Sequence, residues 1–270
     1  MRNELSWNII KKFSSDDLDC FSYQDVVKEY SSTDKIYLSK VLSRMVDNGM
    51  LIKLSRGLYY IVPTNADAEN YIPDWHLVAK YIMKGRKYYI GYYSAMQVHN
   101  LITQPGLKEI IVTDHQFTSS SRNIQGIEFQ FVTHISKRFF GYKNTWINQH
   151  NKAMVSDLEK TIVDAVTRPH LCGGMVEVGK AIYEARERVS LDKLLNYLIK
   201  NESQAAIKRY LFICELVDIK WTSYHEGMLQ KKGNSYSLLD TSAPNQGSKN
   251  SKFGLKINVD VDTIKNSIYT

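Results

Sequence analysis

Cysteine is scarce in this chain. Its 270 residues include three, Cys20, Cys172 and Cys214, with no C-x-x-C pair. An odd number so spaced argues against a disulfide scaffold and against a zinc finger, and it suits a reducing compartment. Long apolar runs are missing as well. None approaches the roughly 20 residues of a membrane-spanning helix, and the start, MRNELSWNIIKKF, lacks the apolar stretch of a signal peptide. The expectation is a soluble, cytoplasmic protein with no membrane partner. Nucleotide-binding and nucleophile signatures are missing too: there is no G-x-x-x-x-G-K-[ST], no G-x-G-x-x-G and no G-x-S-x-G. The seven histidines show neither H-x-x-x-H nor H-E-x-x-H spacing, so neither a metal nor a cofactor is expected. Gly173-Gly174 ahead of a helix reads as a turn rather than as a phosphate cradle.

What is present is ordinary globular composition, 43% apolar and 23% charged. A chain of this length folds as one large domain or two smaller ones and needs no covalent staples. Lys plus Arg exceed Asp plus Glu by 35 to 28, a net charge of +7. The excess is uneven: residues 1–64 carry +1, residues 65–79 carry −3, residues 80–150 carry +6 and residues 151–270 carry +3. A basic surplus concentrates polyanions, which makes nucleic acid a partner to test.

The first sixty residues are the most informative. Residues 4–13 read as a helix with Leu5, Ile9, Ile10 and Phe13 on one stripe. Ser22 is a good N-cap for a second helix, YQDVVKEY, and Phe21 before the cap can staple onto Val26. A third helix is predicted from about Asp34 to Asn48, stopped by Gly49. On a helical wheel Leu38, Val41, Leu42, Met45 and Val46 share one arc and face a core. The opposite arc holds Ile36, Tyr37, Lys40, Ser43 and Arg44, with Lys35 and Ser39 on the flanks. Cations, hydroxyls and one exposed apolar residue suit a helix lying in the major groove of DNA, reaching base edges, phosphates and a thymine methyl. LIKLSRGLYYIV then reads as a hairpin turning at Ser55-Arg56-Gly57, with Lys53 and Arg56 at or near its tip. Three helices followed by a basic-tipped hairpin is the order of a winged helix-turn-helix. A winged helix used only for protein contacts is the alternative.

PTNADAENYIPDW, bounded by Pro63 and Pro73, reads as a linker. Helices are expected at WHLVAKYIM and YYSAMQVHNL. KEIIVTD and IEFQFVTHI look like an antiparallel pair, with a third strand or arm in RFFGYKN. Arg122, Lys137, Arg138 and Lys143 decorate this region as solvated or backbone-contacting cations. Asp114 at a strand end and Glu128-x-Gln130 on the next strand are a faint likeness to the Mg²⁺ site of restriction-type nucleases. Ordinary turn and surface roles explain the same residues.

VSDLEKTIVDAVTRPHLCGG reads as a helix in which Ser156 caps and Glu159 returns the bond. Leu158, Ile162, Ala165 and Val166 form its buried stripe, Asp164 and Arg168 an i,i+4 pair, and Pro169 its end. Structural roles account for Asp157, Glu159 and Asp164, which are therefore not catalytic candidates. Three more helices are expected in MVEVGKAIYEARER, SLDKLLNYLIK and ESQAAIKRYLFICELV, with Lys208 and Arg209 on an exposed face. Two strand-like runs, YSLL and LKINVDV, mark the region after Ser223, a packed β extension or a tail.

In three places the chain resembles the AbiEi-type antitoxins of type IV toxin–antitoxin and abortive-infection (phage-defence) systems. These are the N-terminal unit ending in GMLIKLSRGLYYIV, the segment SDLEKTIVDAVTRPHLCGG, and the tail YSLLDTSAPNQGSKNSKFGLKINVDVDTI. The resemblance implies a non-enzymatic autorepressor that binds inverted repeats in its own promoter. It also implies an antitoxin that counteracts a co-encoded nucleotidyltransferase-like toxin without needing a stable complex. Lys35, Tyr37, Lys40, Ser43 and Arg44 occupy the recognition-helix positions, and Lys53 and Arg56 those of the wing, with Ser39 and Ser55 beside them. The expectation is an α+β protein. Residues 1–64 form a winged helix-turn-helix and 65–74 a linker. A mixed α/β domain over 75–222 and a C-terminal extension over 223–270 follow. The alternatives are a winged-helix regulator without a toxin, and a metal-dependent nuclease using Asp114 and Glu128.

Overall fold

The computed structural model describes residues 4–15, 19–66, 70–104, 106–149 and 151–268. The middle of the predicted linker, residues 67–69, lies outside the described residues. The protein is α+β, with eleven α-helices and three sheets among the described residues. None of these helices is long and apolar enough to cross a membrane.

The N-terminal unit runs α1 (Glu4–Ser15), β1 (Cys20–Ser22), α2 (Tyr23–Glu29), α3 (Lys35–Asp47), β2 (Leu51–Ser55) and β3 (Leu58–Ile61). Its three strands form an antiparallel sheet in the order β1-β3-β2. Ser22 caps α2 in a full capping box with Asp25. Phe21 and Val26 are both buried, in a core with Ile9, Phe13, Leu38, Leu42 and Met45. The sequence LYYI is buried at every position because both faces of β3 are covered. Tyr59 and Ile61 face the helices of this unit, while Leu58 and Tyr60 face the rest of the chain.

A six-stranded mixed sheet organises the remainder. Its strands are β4 (Tyr88–Ile90), β5 (Lys108–Thr113), β6 (Ser121–Ile124), β7 (Ile127–Thr133), β8 (Tyr142–Trp146) and β9 (Lys152–Ser156), in the order β6-β7-β5-β4-β9-β8. β5 and β7 pair in parallel, not antiparallel as their sequences suggest, because β6 supplies the antiparallel return between them. Alternate residues of the central strands face opposite cores. Tyr89, Ile110 and Val112 face α5 (Tyr92–Val98), α6 (Leu158–Thr167), α7 (Met175–Ala185), α8 (Leu191–Lys200) and α9 (Gln204–Leu216). Ile90, Ile111 and Phe129 face α4 (Trp75–Ile82) and the N-terminal sheet, through Val78, Leu54, Leu58 and Tyr60. The chain ends in α10 (Ser223–Gln230), a small sheet of β10 (Ser237–Leu238), β11 (Ser248–Asn250) and β12 (Leu255–Ile257), and α11 (Val261–Ser267). This region is packed, with Leu239, Phe253, Leu255 and Ile264 fully buried.

Helix α6 is buried on all sides, and three expectations for it are corrected. Its cap is Asp157, which accepts from the Lys160 backbone N–H, while Ser156 ends β9. Glu159 accepts instead from the Ser190 backbone and from Lys193 of α8. Asp164 pairs with Lys160 at 2.5 Å rather than with Arg168, which lies beyond the helix. Lys208 and Arg209 are also buried, not exposed: Arg209 donates to the Val166, Thr167 and Leu238 carbonyls, and Lys208 to that of Ser235. The N-terminus of α7 is filled from within the chain. Met175 N–H donates to Asp240 at 2.6 Å, and a Cβ on Gly174, at φ +88, would lie 2.8 Å from that carboxylate.

A polar chain runs through the core beside α6. Asp164 accepts from Lys160 and from the Tyr89 hydroxyl. The Tyr89 oxygen is then free to accept from His134 Nδ1–H at 3.1 Å, and His134 Nε2 accepts from the Tyr92 hydroxyl at 2.7 Å. Removing Asp164 strands a buried ammonium, so Asp164→Ala is expected to destabilise the fold by about 3–5 kcal/mol in urea unfolding. Burial, with Lys160 and Arg168 nearby, pulls the His134 pKa down to about 4 against the pull of Asp164. The unfolded chain therefore binds a proton below its ordinary value, which the folded chain refuses until near pH 4. Stability is full above pH 6.5 and falls as pH drops towards 4, by up to about 3 kcal/mol from this residue. His99, His170 and His225 shift in the same direction and His76 in the opposite one. The difference in urea midpoint between wild type and His134→Gln, measured at pH 7 and pH 4.5, isolates the term, and a smaller pH effect in the variant is expected.

Candidate nucleic-acid interface

The outer face of α3 is set by its inner one. Leu38, Val41, Leu42 and Met45 are buried, so the helix cannot roll. Asp34 caps it by accepting from the Tyr37 N–H at 2.8 Å. The Tyr23 hydroxyl of α2 donates to the Lys35 carbonyl at 2.9 Å and ties the two helix starts together. Lys35, Ile36, Tyr37, Ser39, Lys40, Ser43 and Arg44 all point to solvent. Ile36 is 67% exposed, a large apolar side chain with no core to enter. None of Lys35, Lys40 and Arg44 is ion-paired with a described residue.

The β2–β3 hairpin turns at Arg56-Gly57, where Gly57 takes a φ of 72°. Its carbonyl accepts from the Tyr23 N–H at 2.8 Å, which fixes the hairpin against the start of α2. Lys53 and Arg56 are exposed and Ser55 is half-buried. The hairpin is also held from the second unit: Arg122 Nη2 donates to Ser55 Oγ at 3.4 Å and Gln125 to the Lys53 carbonyl at 2.8 Å.

Between the hairpin and the second unit lies an open groove of about 1010 Å³. Ser39 of α3, Lys53 and Arg56 of the hairpin, Lys84 and Arg86 after α4, and Arg122 of β6 all line it, with Tyr23 and Tyr81. Five cations from three separate chain segments thus border one concavity. Asp25 lies at its edge, where it accepts from the Tyr81 hydroxyl at 2.5 Å and holds Lys84 at 3.6 Å. The Arg86 guanidinium sits over the Phe117 ring at 4.9 Å, which aims it without neutralising it. Lys40, Ser43 and Arg44 lie on the outer face of α3, outside the residues that line the groove.

Lys84 and Arg86 were not singled out in the sequence, although they belong to its most basic region, residues 80–150. Arg122 reads there as one of several solvated cations. Nothing local marks the convergence of these three, since it follows from the contact between the two units. Asp114 and Glu128, in contrast, are not brought together. In the parallel pairing Glu128 stands opposite Lys108, and Asp114 follows Thr113 at the far end of the same strand, about 20 Å away. Glu128 is ion-paired to Lys108 at 2.9 Å. An antiparallel pairing would have placed the two acids side by side. Among the described residues no group of three or more His, Cys, Asp or Glu is arranged to hold a metal ion.

In fold the chain is similar to the RV2827C protein from Mycobacterium tuberculosis, known from a crystal structure. The match covers 97% of this chain and 94% of that one, with a TM-score of 0.68 and 12% sequence identity. At that identity the likeness is one of fold. No protein-family model matches the sequence, and no curated protein does.

Proposed function

We propose that this protein is a sequence-specific DNA-binding repressor of its own promoter, with residues 4–61 acting as a winged helix-turn-helix. The supporting observation is the outward face of α3, where Lys35, Lys40 and Arg44 have no ion-pair partner among the described residues and stand beside exposed Ile36 and Tyr37, next to a groove bordered by five cations. α3 enters the major groove. Lys40 and Arg44 reach guanine edges or phosphates, Ser43 and Tyr37 donate to phosphate, and Ile36 meets a thymine methyl. Lys53 and Arg56 follow the flanking backbone as a wing does. Lys84, Arg86 and Arg122 extend the same phosphate track and supply the charge that residues 1–64, at net +1, lack.

The antitoxin half of the proposal rests on the resemblance of SDLEKTIVDAVTRPHLCGG and the C-terminal tail to the AbiEi type. The toxin to be opposed is a co-encoded nucleotidyltransferase-like protein. The acidic and basic groups of α6 are bonded within the core, so opposition to the toxin works through other surfaces or through the operon itself.

Anisotropy titrations on fragments of the protein's own promoter, over a range of salt concentrations, separate the roles. Lys40→Ala with Arg44→Ala is expected to cost about 1–3 kcal/mol per lost base contact and to relax sequence preference. Lys84→Ala or Arg86→Ala should weaken all sequences alike and reduce the salt slope by about 1 each. Unchanged affinity in the α3 variant removes that helix from the interface. The same variant, co-expressed with the product of the neighbouring reading frame, should still rescue growth if antitoxicity is separate from repression. If wild type gives no rescue either, the protein is a regulator without a toxin.

A further inference from the structure

The β2–β3 hairpin meets the second unit along two strand edges. β2, which carries Lys53 and Ser55, is an edge strand of the N-terminal sheet, and β6, which carries Arg122, is an edge strand of the six-stranded one. Leu54 of the first and Ile124 of the second are buried in the same core. Two side chains of the β6–β7 hairpin reach across to β2. Arg122 Nη2 donates to Ser55 Oγ at 3.4 Å, and Gln125 Nε2 to the Lys53 carbonyl at 2.8 Å. The pairing of β2 with β3 shifts register between Lys53 and Ser55, so the bond from Gln125 falls where the strand changes direction.

Gln125 is an unusual residue for its place. Ile124 pairs with Ile127, so Gln125 and Gly126 alone make the turn between β6 and β7. Both take a positive φ, 52° and 82°, as a type I′ hairpin turn requires. Asn, Asp and Gly enter that first position readily, whereas a longer side chain is disfavoured in the left-handed region. The turn itself has no use for a glutamine amide. Its Gly126 N–H donates to Asn123 Oδ1 at 3.2 Å, and the Gln125 amide points away to the other unit. An asparagine would suit the backbone better, but its amide would fall one methylene short of the Lys53 carbonyl. A backbone conformation kept against local preference, by a side chain its own turn does not need, points to a role elsewhere.

We propose that Gln125 is a positioning residue for phosphate recognition. Its amide fixes the Lys53 carbonyl, and with it the spacing between the hairpin cations Lys53 and Arg56 and the cations Lys84, Arg86 and Arg122 of the second unit. The inference rests on the DNA-binding reading. Phosphates recur at fixed intervals along a strand, so cations from two units engage one backbone together only when their spacing matches it. A spacing set in advance removes the cost of ordering the hairpin on binding. Arg122 is not the fixed link. It is exposed, it lines the groove and its bond to Ser55 is long, so a phosphate takes its guanidinium in exchange for the hydroxyl. Gln125 is neutral and lies outside the residues that line the groove, so it keeps its hold on Lys53 when DNA is bound.

Two variants of the full chain test this. Gln125→Asn relieves the turn and loses the reach, and Gln125→Met keeps the reach and loses the donor. In urea unfolding the Asn variant should be at least as stable as wild type and more stable than the Met variant. In anisotropy titrations on fragments of the protein's own promoter, both should bind roughly three- to tenfold more weakly than wild type. Both should also show a salt slope smaller by about 1. In the ¹H–¹⁵N spectrum of the DNA-free chain, the Leu54 amide, which follows the Lys53 carbonyl, should shift in both. Wild-type affinity in either variant, affinities that rank with stability, or an unmoved Leu54 amide would overturn the role of Gln125. A wild type that binds no promoter fragment removes the DNA-binding reading itself, and the role of Gln125 falls with it.

Discussion

The six-stranded sheet has two apolar faces, and both must be covered. Period-two alternation in β4 and β5 sends Tyr89, Ile110 and Val112 one way and Ile90 and Ile111 the other. Five helices cover the first face. The second is too large for α4 alone, and the sheet of the N-terminal unit completes the cover with Leu54, Leu58 and Tyr60. Each such side chain contributes about 1.5–3 kcal/mol when fully buried. Together they hold the two units in one arrangement, and that arrangement sets everything on the outer surface. It puts Arg122 against Ser55 and Gln125 against the Lys53 carbonyl, and it closes the groove between α3, the hairpin and Lys84.

The electrostatic consequence is local. Net charge over residues 1–64 is +1, which is little for the polyanion grip proposed for this unit. Screening at physiological salt confines each charge to about 8 Å, so what matters is which cations stand near one another. The outer face of α3 carries Lys40 and Arg44 with one acid, Asp47, at its C-terminal end, and in the groove the neighbouring unit adds three cations to the two of the hairpin. Asp25 is engaged with Tyr81, Ser22 and Lys84, and these hydrogen bonds outweigh the cost of its burial and hold its pKa below the ordinary carboxylate value. A weakly charged unit thus becomes half of a strongly charged surface.

Legibility in the sequence followed the range of the interaction. The inner and outer arcs of α3, the Ser22 cap, the Phe21–Val26 contact and the Gly57 turn were all readable, because each depends on residues within a few positions of one another. Pairing direction was not. β5 and β7 each alternate as a half-buried strand does, and only the short, polar β6 between them reveals that they run parallel. Lys208 and Arg209 read as surface residues because cations usually are. Their partners, backbone carbonyls, lie where only the packed chain places them. The helices α10 and α11 were hidden in a polar, Gly- and Asn-rich stretch whose burial comes from its neighbours rather than from its own pattern.

Titratable groups displaced from their ordinary behaviour often mark function, and this fold offers two sets that need to be told apart. In the chain from Lys160 through Asp164, Tyr89 and His134 to Tyr92, each group gives or takes a hydrogen bond within the protein, and none of these residues lines the cationic groove. Such a network rigidifies and specifies a core, and it holds α6 against the sheet with no vacancy for a substrate. At His225 the accounting differs: Nδ1 is used by the helix cap, and Nε2 is buried with no hydrogen-bond partner among the described residues. Satisfied polar capacity in a sealed core belongs to the scaffold.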